Sequence, residues 1–367
     1  MRIILFGGAF DPVHYGHMNM AERAAAFFDA NVIFIPARVA VWKNESISPE
    51  HKINMLKLAI SESKYASRFS ISTYEIDKNP NEYAYSIDTV RHFKEKYPND
   101  EIFLLIGEDQ ANSFHLWKEA EELAKLAQIV YFGRLNEENG GENQRKYHMI
   151  RIPGKINDIS SSDIRTLKSL ETPDSVINYI IDNELYFMDR ITVPGNQKRH
   201  EHVIRVAKLA YEIAKANNFK YAKKALIAAL LHDIAKDNRP EAYERDKAII
   251  EAEYKDYVDI SPVVWHQVLG VKKAKEVFEI TDKTVLKAIE FHTTGNKRMS
   301  DVAKIVYAAD KIEPGRGYDS SEYINAMKCS ITDGFVTVLK ANVEFFKDKE
   351  VDYQNKFTKA CLKYYLK

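Results

Sequence analysis

The segment RIILFGGAFDPVHYGH (residues 2–17) decides the fold of the first part of the chain. A short apolar run, typical of a buried strand, leads directly into the pair Gly7-Gly8. Glycine at a strand end lets a ligand approach the backbone, because no Cβ stands in the way. The helix that begins near Gly16 offers unpaired N–H groups and the positive end of its dipole. The segment therefore predicts a phosphate-binding turn at the carboxyl end of a first strand.

His14 and His17 lie in that turn and in the first turn of the helix. Imidazole N–H groups at such a place can stabilise the charge that builds up on a reacting phosphorus centre. The pattern thus favours phosphoryl or nucleotidyl chemistry over a simple structural turn.

The rest of the first half alternates between apolar runs and amphipathic helical patterns. This alternation predicts right-handed crossovers and a mostly parallel, doubly wound sheet. Two further helices are expected between residues 160 and 186. The predicted strands are RIILF, NVIFIPA, FSISTYEI, EIFLLIG, QIVYFGR and HMIRIP.

The segment DRITVPGNQKR (189–199) interrupts the alternation and is predicted to link two domains. After it only helical patterns follow. The expected fold is α/β plus all-α: a doubly wound Rossmann-like domain over 1–190 and a helical domain over 191–367. The seven helical stretches are expected at 199–217, 221–237, 240–255, 261–278, 282–292, 300–312 and 320 to the end.

Composition limits the environment and the partners. The 367 residues carry no net charge, so nothing favours a nucleic acid or a membrane as partner. No apolar run reaches the roughly 18 residues of a membrane span, and the first residues do not resemble a signal peptide. Two cysteines form no disulfide framework, so a cytoplasmic protein is expected. A homo-oligomer is left open.

Ligand-type residues recur on apolar faces of the helical half. His202 shares a face with Val206 and Leu209, and His232-Asp233 ends the apolar run ALIAALL. A buried carboxylate needs a partner or a metal. Taken together, the inward-pointing set predicts a metal centre built from His202, His232, Asp233, His266, His292 and Asp310.

The first half resembles the nucleotidyltransferases that carry an HxGH motif. GGAFDPVHYGH contains that motif at His14–His17, and ISSSDIR (159–165) resembles the second motif of the superfamily. Within the superfamily the chain is most similar to nicotinate mononucleotide adenylyltransferases. The residues that carry this likeness are HYGHMNMAE, EHKINMLKLAI, YAYSIDTV, LLIGEDQANSFHLW and FGRL.

The resemblance implies a reaction in which a mononucleotide phosphate attacks the α-phosphate of ATP, with Mg²⁺ accompanying ATP. Its implied catalytic residues are His14, His17 and Arg165. The implied ATP-binding residues are Gly7, Gly8, Phe10, His14, His17, Gly107, Asp109, Ser161, Ser162 and Arg165. The implied nicotinate mononucleotide pocket comprises Lys43, Tyr85, Thr89 and Trp117.

The chain departs from that family at two places. Position 9 is Ala where the family usually has Thr or Ser, so one hydroxyl is missing. The segment ARVAVWK (37–43) replaces a proline-containing loop, which leaves the acceptor open. Nicotinamide mononucleotide or another phosphate acceptor is therefore the alternative substrate.

The second half resembles HD phosphohydrolases, and within them the bacterial YqeK family. The likeness rests on RHEHVIRVAKLA, ALLHDIAKD, FHTTG and AADKIEPGRGY. It implies symmetric hydrolysis of diadenosine tetraphosphate, a dinucleoside polyphosphate, to two ADP. It also implies Asp233 as catalytic residue, one metal on His202, His232, Asp233 and Asp310, and a second on His266 and His292 bridged through Asp233.

Imidazole and carboxylate ligands suit Fe, Mn, Co or Zn better than Ca. Lys236 and Arg316 are expected to contact phosphates. Two alternatives remain for this domain: a broader nucleotide phosphohydrolase, and a metal-bound regulatory module without catalysis.

Overall fold

The structure is a computed structural model that describes residues 1–38, 47–78, 84–132, 141–154, 159–193, 196–237, 239–348 and 355–367. The chain divides into two compact units. The first comprises Met1–Arg165 and Glu171–Leu185, and the second comprises Thr166–Leu170 and Tyr186–Lys367. The short segment 166–170 thus belongs to the second unit, although it precedes the last helix of the first.

The first unit contains one parallel sheet of six strands in the order β3-β2-β1-β4-β5-β6. Its doubly wound, Rossmann-like topology confirms the fold class expected for this half. The strands are β1 (Arg2–Gly8), β2 (Asn31–Pro36), β3 (Phe69–Ile71), β4 (Glu101–Gly107), β5 (Gln128–Phe132) and β6 (Ile150–Ile152).

Eight α-helices of the described residues cross between these strands or follow them. Their apolar faces pack on a sheet whose central strands are almost wholly buried, as strands covered on both sides must be. The helices are α1 (Tyr15–Phe28), α2 (Pro49–Ser61), α3 (Ser86–Lys96), α4 (Glu108–Asn112), α5 (Ala120–Leu126), α6 (Glu142–Lys146), α7 (Ser161–Arg165) and α8 (Asp174–Asp182).

Strand β3 is shorter than the FSISTYEI run predicts. The strand pairing with β2 ends at Ile71, and the chain then turns, with the Asp77 amide donating to the Thr73 carbonyl at 2.8 Å. The Thr73 hydroxyl also donates to the Asp77 carboxylate at 2.6 Å. A local side-chain bond of this kind competes with strand pairing, which explains the early end.

The second unit is helical throughout its described residues, as expected. Helix α10 lies at its centre and packs against α9, α13 and α14. The helices are α9 (Gln197–Ala216), α10 (Ala222–Leu231), α11 (Pro240–Glu253), α12 (Trp265–Val277), α13 (Lys283–Glu290), α14 (Asp301–Ile312), α15 (Ser321–Cys329), α16 (Ile331–Asp348) and α17 (Lys356–Tyr365).

Helix α10 ends at Leu231, six residues before the predicted end at 237. The chain continues in turns, in which the Ile234 amide donates to the Leu231 carbonyl and the Lys236 amide donates to the Asp233 carbonyl. His232 and Asp233 therefore stand at a helix end, where their side chains reach the neighbouring helices. No helix among the described residues is long and apolar enough to span a membrane.

Gly334 of α16 lies directly against the backbone of α15. A Cβ at this position would lie 2.5 Å from the Cα of Met327, closer than any real contact. In a solvent-exposed helix a Gly→Ala substitution is stabilising. Here Gly334→Ala is expected to destabilise the second unit by about 1–3 kcal/mol, because the added methyl group has no room. Urea unfolding of the full chain measures the change.

The matched control for this substitution is Lys340→Ala, on the exposed side of the same helix. It is expected to change the free energy of unfolding by less than about 0.5 kcal/mol. A stabilising Gly334→Ala would mean that the two helices do not touch at this glycine.

Candidate functional site

In the first unit, the candidate site lies where the strand order reverses. Strands β1 and β4 are neighbours in the sheet, and their carboxyl ends carry Gly7-Gly8 and Gly107. In open parallel sheets ligands bind in the crevice at such a reversal point. The sheet topology thus brings two of the sequence-predicted segments to one place.

His14 and His17 stack on each other at the start of α1. Their ring centroids are 3.7 Å apart. The His14 Nδ1 accepts from the Gly16 amide at 3.1 Å, and the His17 Nδ1 accepts from the His14 amide at 3.3 Å. Because each Nδ1 is an acceptor, each neutral ring carries its proton on Nε2. The helix start therefore presents two imidazole N–H donors.

Burial keeps both imidazoles neutral. Desolvation lowers the pKa of His14 to about 4. Desolvation, and next the neighbouring His14, hold the pKa of His17 well below its usual range. Near neutral pH these histidines are therefore donors without charge, and an anion at the helix start would meet N–H groups rather than imidazolium ions.

The second motif is tied to the first by hydrogen bonds to main-chain carbonyls. Ser161 Oγ donates to the Pro12 carbonyl at 2.9 Å, and the Arg165 guanidinium donates to the Asp11 carbonyl at 2.6 Å. Thr172, which the sequence reasoning missed, donates from its hydroxyl to the Val13 carbonyl at 2.7 Å. Ser162 is exposed at the start of α7. The structure thus joins GGAFDPVHYGH and ISSSDIR into one site.

Phe10, which was expected to line the nucleotide cleft, is fully buried. Its ring meets the His17 ring edge-on, with centroids 5.0 Å apart, and packs so closely that a Cβ on Gly8 would touch it at 3.0 Å. The side chain therefore supports the site from beneath. A Cβ on Gly7 would meet no described atom within 4 Å, so the exposed backbone there is open to a ligand.

The residues expected to hold the mononucleotide differ in how accessible they are to a ligand. Tyr85 is partly exposed, and Lys118 Nζ lies 4.2 Å above its ring. Trp117 packs on the core beside Phe114, with ring centroids 5.3 Å apart. Lys43 and the residues up to 46 lie outside the described residues.

Thr89 is buried rather than open to a ligand. Its hydroxyl donates to the Glu75 carboxylate at 2.8 Å. Desolvation raises the pKa of Glu75, and the bond from Thr89 opposes this rise. The Thr89 side chain is thus already engaged, and only its surroundings can shape the pocket.

Asp109 lies at the start of α4 and folds back over Gly107. A Cβ on Gly107 would stand 2.7 Å from Asp109 Oδ1, so the carboxylate lies directly over the glycine. Asp109 is exposed, and its carboxylate can accept hydrogen bonds from hydroxyl groups of a ligand.

In the second unit, six ligand-type side chains converge, and Asp233 stands between two groups of them. In the first group, Asp233 Oδ2 lies 3.6 Å from His232 Nε2 and 3.9 Å from His202 Nε2. Asp310 Oδ1 lies 3.1 Å from His202 Nε2 and 3.6 Å from His232 Nε2. These side chains come from α9, the end of α10, and α14.

The second group uses the other oxygen of the same carboxylate. Asp233 Oδ1 lies 3.3 Å from His266 Nε2 and 3.5 Å from His292 Nε2. The two imidazole nitrogens are themselves 3.1 Å apart. The sets His202-His232-Asp233 and Asp233-His266-His292 are each compact enough to hold a metal ion.

Each histidine of the two groups is oriented by a bond on its other nitrogen. Nδ1 of His232, His266 and His292 donates to a main-chain carbonyl three residues earlier, at 2.7–2.8 Å. Nδ1 of His202 donates to Glu313 Oε1 at 3.0 Å. Since Nδ1 carries the proton, every Nε2 presents a lone pair to the centre, which is how metal-binding histidines are held.

These residues fit a metal. The lone pairs on Nε2 of His266 and His292 face each other and the Asp233 carboxylate, so acceptors oppose acceptors. Among the described residues, His232 Nε2 and Asp233 Oδ1 are buried without a hydrogen-bond partner. Such orphaned acceptors are costly unless a cation lies among them.

Four cations surround the carboxylates. Arg199 Nη1 donates to Asp233 Oδ2 at 2.6 Å, and Lys311 Nζ donates to Asp310 Oδ2 at 2.7 Å. Arg316, expected as a phosphate contact, donates to Asp310 Oδ1 at 2.6 Å. Lys236, the other expected phosphate contact, has its Nζ 3.7 Å from Asp233 Oδ1 and is partly exposed.

Glu313 is a buried neighbour of the cluster that the sequence did not single out. It is almost fully buried, and besides holding His202 it accepts from Arg205 Nε and from the Gly315 amide, both at 2.6 Å. Desolvation raises the pKa of Glu313. The hydrogen bonds from Arg205, His202 and the Gly315 amide outweigh it, so this pKa lies below its usual value. The sequence offered one indication of this role: Glu313 follows Asp310 by three residues, at the end of α14.

The chain thus consists of a nucleotidyltransferase-like unit followed by an HD unit. Residues 5–167 match the cytidylyltransferase-like family, and residues 199–315 match the HD domain family.

The most informative relatives share both halves. The probable nicotinate-nucleotide adenylyltransferase/Ap4A hydrolase of Mycoplasma genitalium is 33% identical over 360 residues, which is 95% of this chain and 99% of that protein. Its namesake in Mycoplasma pneumoniae is 31% identical over 86% of this chain and 90% of that protein. A probable nicotinate-nucleotide adenylyltransferase of Aquifex aeolicus is 41% identical over 36% of this chain and 77% of that protein. The chain belongs to the family of fused nicotinate-nucleotide adenylyltransferase/Ap4A hydrolase enzymes.

The neutral His14 predicts an acid-sensitive first unit. Its pKa is about 4 when folded and about 6.5 when unfolded, so between these values the unfolded chain binds more protons. The free energy of unfolding therefore falls as the pH falls from about 6.5 to about 4, by about 3 kcal/mol for this ring. His14→Asn keeps a capping acceptor and removes the titrating group.

We expect this variant to lose less stability than the wild type over the same pH range. Calorimetry of the full chain measures this loss of stability. The unfolding transition of the first unit is the one whose midpoint temperature rises when ATP is added. Parallel losses in the two proteins would show that His14 is not kept neutral by the fold.

Glu313 is expected to act through His202 on metal affinity. Glu313→Gln removes the charge that orients the imidazole, and we expect metal binding to weaken about 10- to 100-fold. Competition with a chelator gives the dissociation constant, and the absorption of bound Co²⁺ reports the changed ligand field. The control is Glu201→Gln, the same change at an exposed residue of α9, which should alter neither. Unchanged affinity in Glu313→Gln would remove this role.

Proposed function

We propose that the first unit transfers the adenylyl group of ATP to nicotinate mononucleotide, giving deamido-NAD and pyrophosphate. We propose that the second unit hydrolyses diadenosine tetraphosphate symmetrically to two ADP. Family membership along nearly the whole chain supports both assignments. The observation that carries the first is the pair of Nε2–H donors at the start of α1. The observation that carries the second is the Asp233 carboxylate shared by two groups of imidazoles.

In the first reaction a phosphate oxygen of the mononucleotide forms a bond to the α-phosphorus of ATP. The bond from that phosphorus to the bridging oxygen breaks, and pyrophosphate leaves with the electron pair. His14 and His17 would donate to the phosphate oxygens on which charge accumulates. Ser162 and Arg165 would hold the leaving side, and Ser161 would keep the start of α7 in place through its bond to the Pro12 carbonyl. Catalysis of this kind consists of positioning and charge stabilisation, with Mg²⁺ entering bound to ATP.

The two nucleotides would meet at the strand reversal. Gly7 leaves the backbone open to ATP, and Asp109 beside Gly107 can accept from the ribose hydroxyls. The partly exposed ring of Tyr85 would form a wall of the acceptor pocket. Trp117 and Lys43 are proposed there by the family resemblance, and parallel turnover of nicotinate and nicotinamide mononucleotide decides between the acceptors.

In the second reaction water attacks one of the two inner phosphorus atoms, and the central anhydride bond breaks to give two ADP. Transition-metal ions held by His202, His232, Asp233 and Asp310, and by Asp233, His266 and His292, would supply Lewis acidity at these phosphates. The Nδ1 bonds of the histidines would keep those ligands in place. Lys236, beside Asp233, would carry positive charge towards the substrate.

Two substitutions separate the activities. His17→Ala removes one donor to the phosphates and should lower adenylyl transfer about 10²- to 10³-fold without affecting hydrolysis. Asp233→Ala removes the shared carboxylate and should abolish hydrolysis without affecting adenylyl transfer. Deamido-NAD formation and ADP release are measured on the same full-length preparations.

Each variant is the control for the other, because each must retain one activity at the wild-type rate. Loss of both activities in a variant that still unfolds cooperatively would contradict two independent sites. Retention of hydrolysis in Asp233→Ala would contradict the proposed metal centre.

A further inference from the structure

A cavity of about 660 Å³ lies in the second unit, between the end of α14 and the helices α15 and α16. Its volume is within the range of about 300–1,000 Å³ usual for small-molecule sites. Asp310 belongs both to its wall and to the ligand cluster described above. The cavity is therefore continuous with the candidate metal centre.

The end of the cavity next to the cluster is cationic and polar. Lys236, Lys311 and Arg316 line it, and each of them approaches a carboxylate of the cluster. Thr293 lines it as well, with its hydroxyl 3.3 Å from His266 Nε2. Three positive charges beside a metal centre suit the phosphates of a nucleotide.

The rest of the cavity lining is mainly aromatic. It includes Tyr318, Tyr323, Phe345 and Phe346, together with the apolar Val338. Phe345 is 56% exposed and Tyr318 is 48% exposed, so both rings are open to a ligand. Tyr318 is held in place because its hydroxyl donates to the Lys311 carbonyl at 2.8 Å.

The lining therefore combines cationic side chains with aromatic surface, and a nucleotide needs both. Its phosphates need cations, whereas its base is a flat π-system that stacks on aromatic rings. Two large, exposed rings at a fixed place offer such a stacking surface. An acyl chain would also suit the apolar part of the lining, but it gains nothing from flat aromatic rings, so a base is the better match.

We propose that this cavity binds one nucleotide unit of the substrate, with the base against Phe345 and Tyr318 and the phosphates between Lys236 and Arg316. This assignment rests on the proposed hydrolysis of dinucleoside polyphosphates by the second unit. It makes the aromatic residues of α16 and of the segment before α15 determinants of specificity, and it fixes the direction from which the anhydride reaches the metal centre.

The direct test is photolabelling of the metal-loaded, full-length protein with 8-azido-ADP, followed by peptide mapping. We expect label in a peptide within residues 318–346, removed by excess ADP. Label in the first unit, where ATP is expected to bind, serves as an internal standard for probe and light dose. Absence of label between 318 and 346 would overturn the proposal.

Phe345→Ala removes the more exposed of the two rings. We expect the concentration of 8-azido-ADP that half-saturates this peptide to rise about 5- to 150-fold, the range for loss of one base stack. Phe345→Trp, which keeps a stacking surface, should stay near the wild type. Tyr221→Ala, an exposed ring outside the cavity, is the matched control. Equal half-saturation in all four proteins would overturn the proposal.

Hydrolysis of diadenosine tetraphosphate separates this proposal from the proposed function. A base stack formed equally in ground and transition states changes KM and leaves kcat unaltered, so Phe345→Ala should raise KM alone. Hydrolysis with an unchanged KM in Phe345→Ala contradicts the cavity and leaves the activity standing. Labelling that depends on Phe345, in a wild type that does not hydrolyse this substrate, supports the cavity and contradicts the activity.

Discussion

The second unit is organised around one buried carboxylate. Asp233 faces two imidazoles with one oxygen and two more with the other, so the side chains of α9, α12 and the ends of α10 and α13 must meet at its position. An isolated charge of this kind would be costly to bury. Arg199 lowers that cost by donating to Asp233 Oδ2. Desolvation raises the pKa of Asp233, but His232, His292 and Lys236 outweigh it and hold this pKa well below its usual range. The early end of α10 follows from the same requirement.

The two sites hold histidine in opposite tautomers, and at every one of these histidines except His202 a main-chain group sets the tautomer. In the first unit Nδ1 of His14 and His17 accepts from amides, so the outer nitrogen donates. In the second unit Nδ1 of residues such as His232 donates to a carbonyl, so the inner nitrogen accepts. One arrangement suits anionic oxygen and the other suits a cation. The same side chain thus serves two phosphate chemistries through a choice of tautomer.

Sequence periodicity located all six strands and the helical character of the second half, because buried strands and amphipathic helices leave local patterns. It also singled out the histidines and aspartates of the cluster. It missed Glu313 and Thr172, because their roles depend on partners more than a hundred residues away. The family resemblance, and not periodicity, put Phe10 among the ATP-binding residues, and its ring packs against His17 beneath the site. A local pattern carries no record of such contacts. The early end of β3 shows the same limit at short range, since one Thr73–Asp77 bond outweighs strand propensity.

The hydrogen bonds that close the first site also determine when it can exist. Ser161, Arg165 and Thr172 reach back to carbonyls 149, 154 and 159 residues earlier in the chain. Contacts of such separation form late, after the loop-closure entropy of the intervening sheet has been overcome. On the ribosome, the glycine turn and the first helix therefore emerge long before they have a complete binding site. Nucleotide affinity in this unit is thus a property of the finished fold, and a bound nucleotide stabilises the whole sheet rather than one loop.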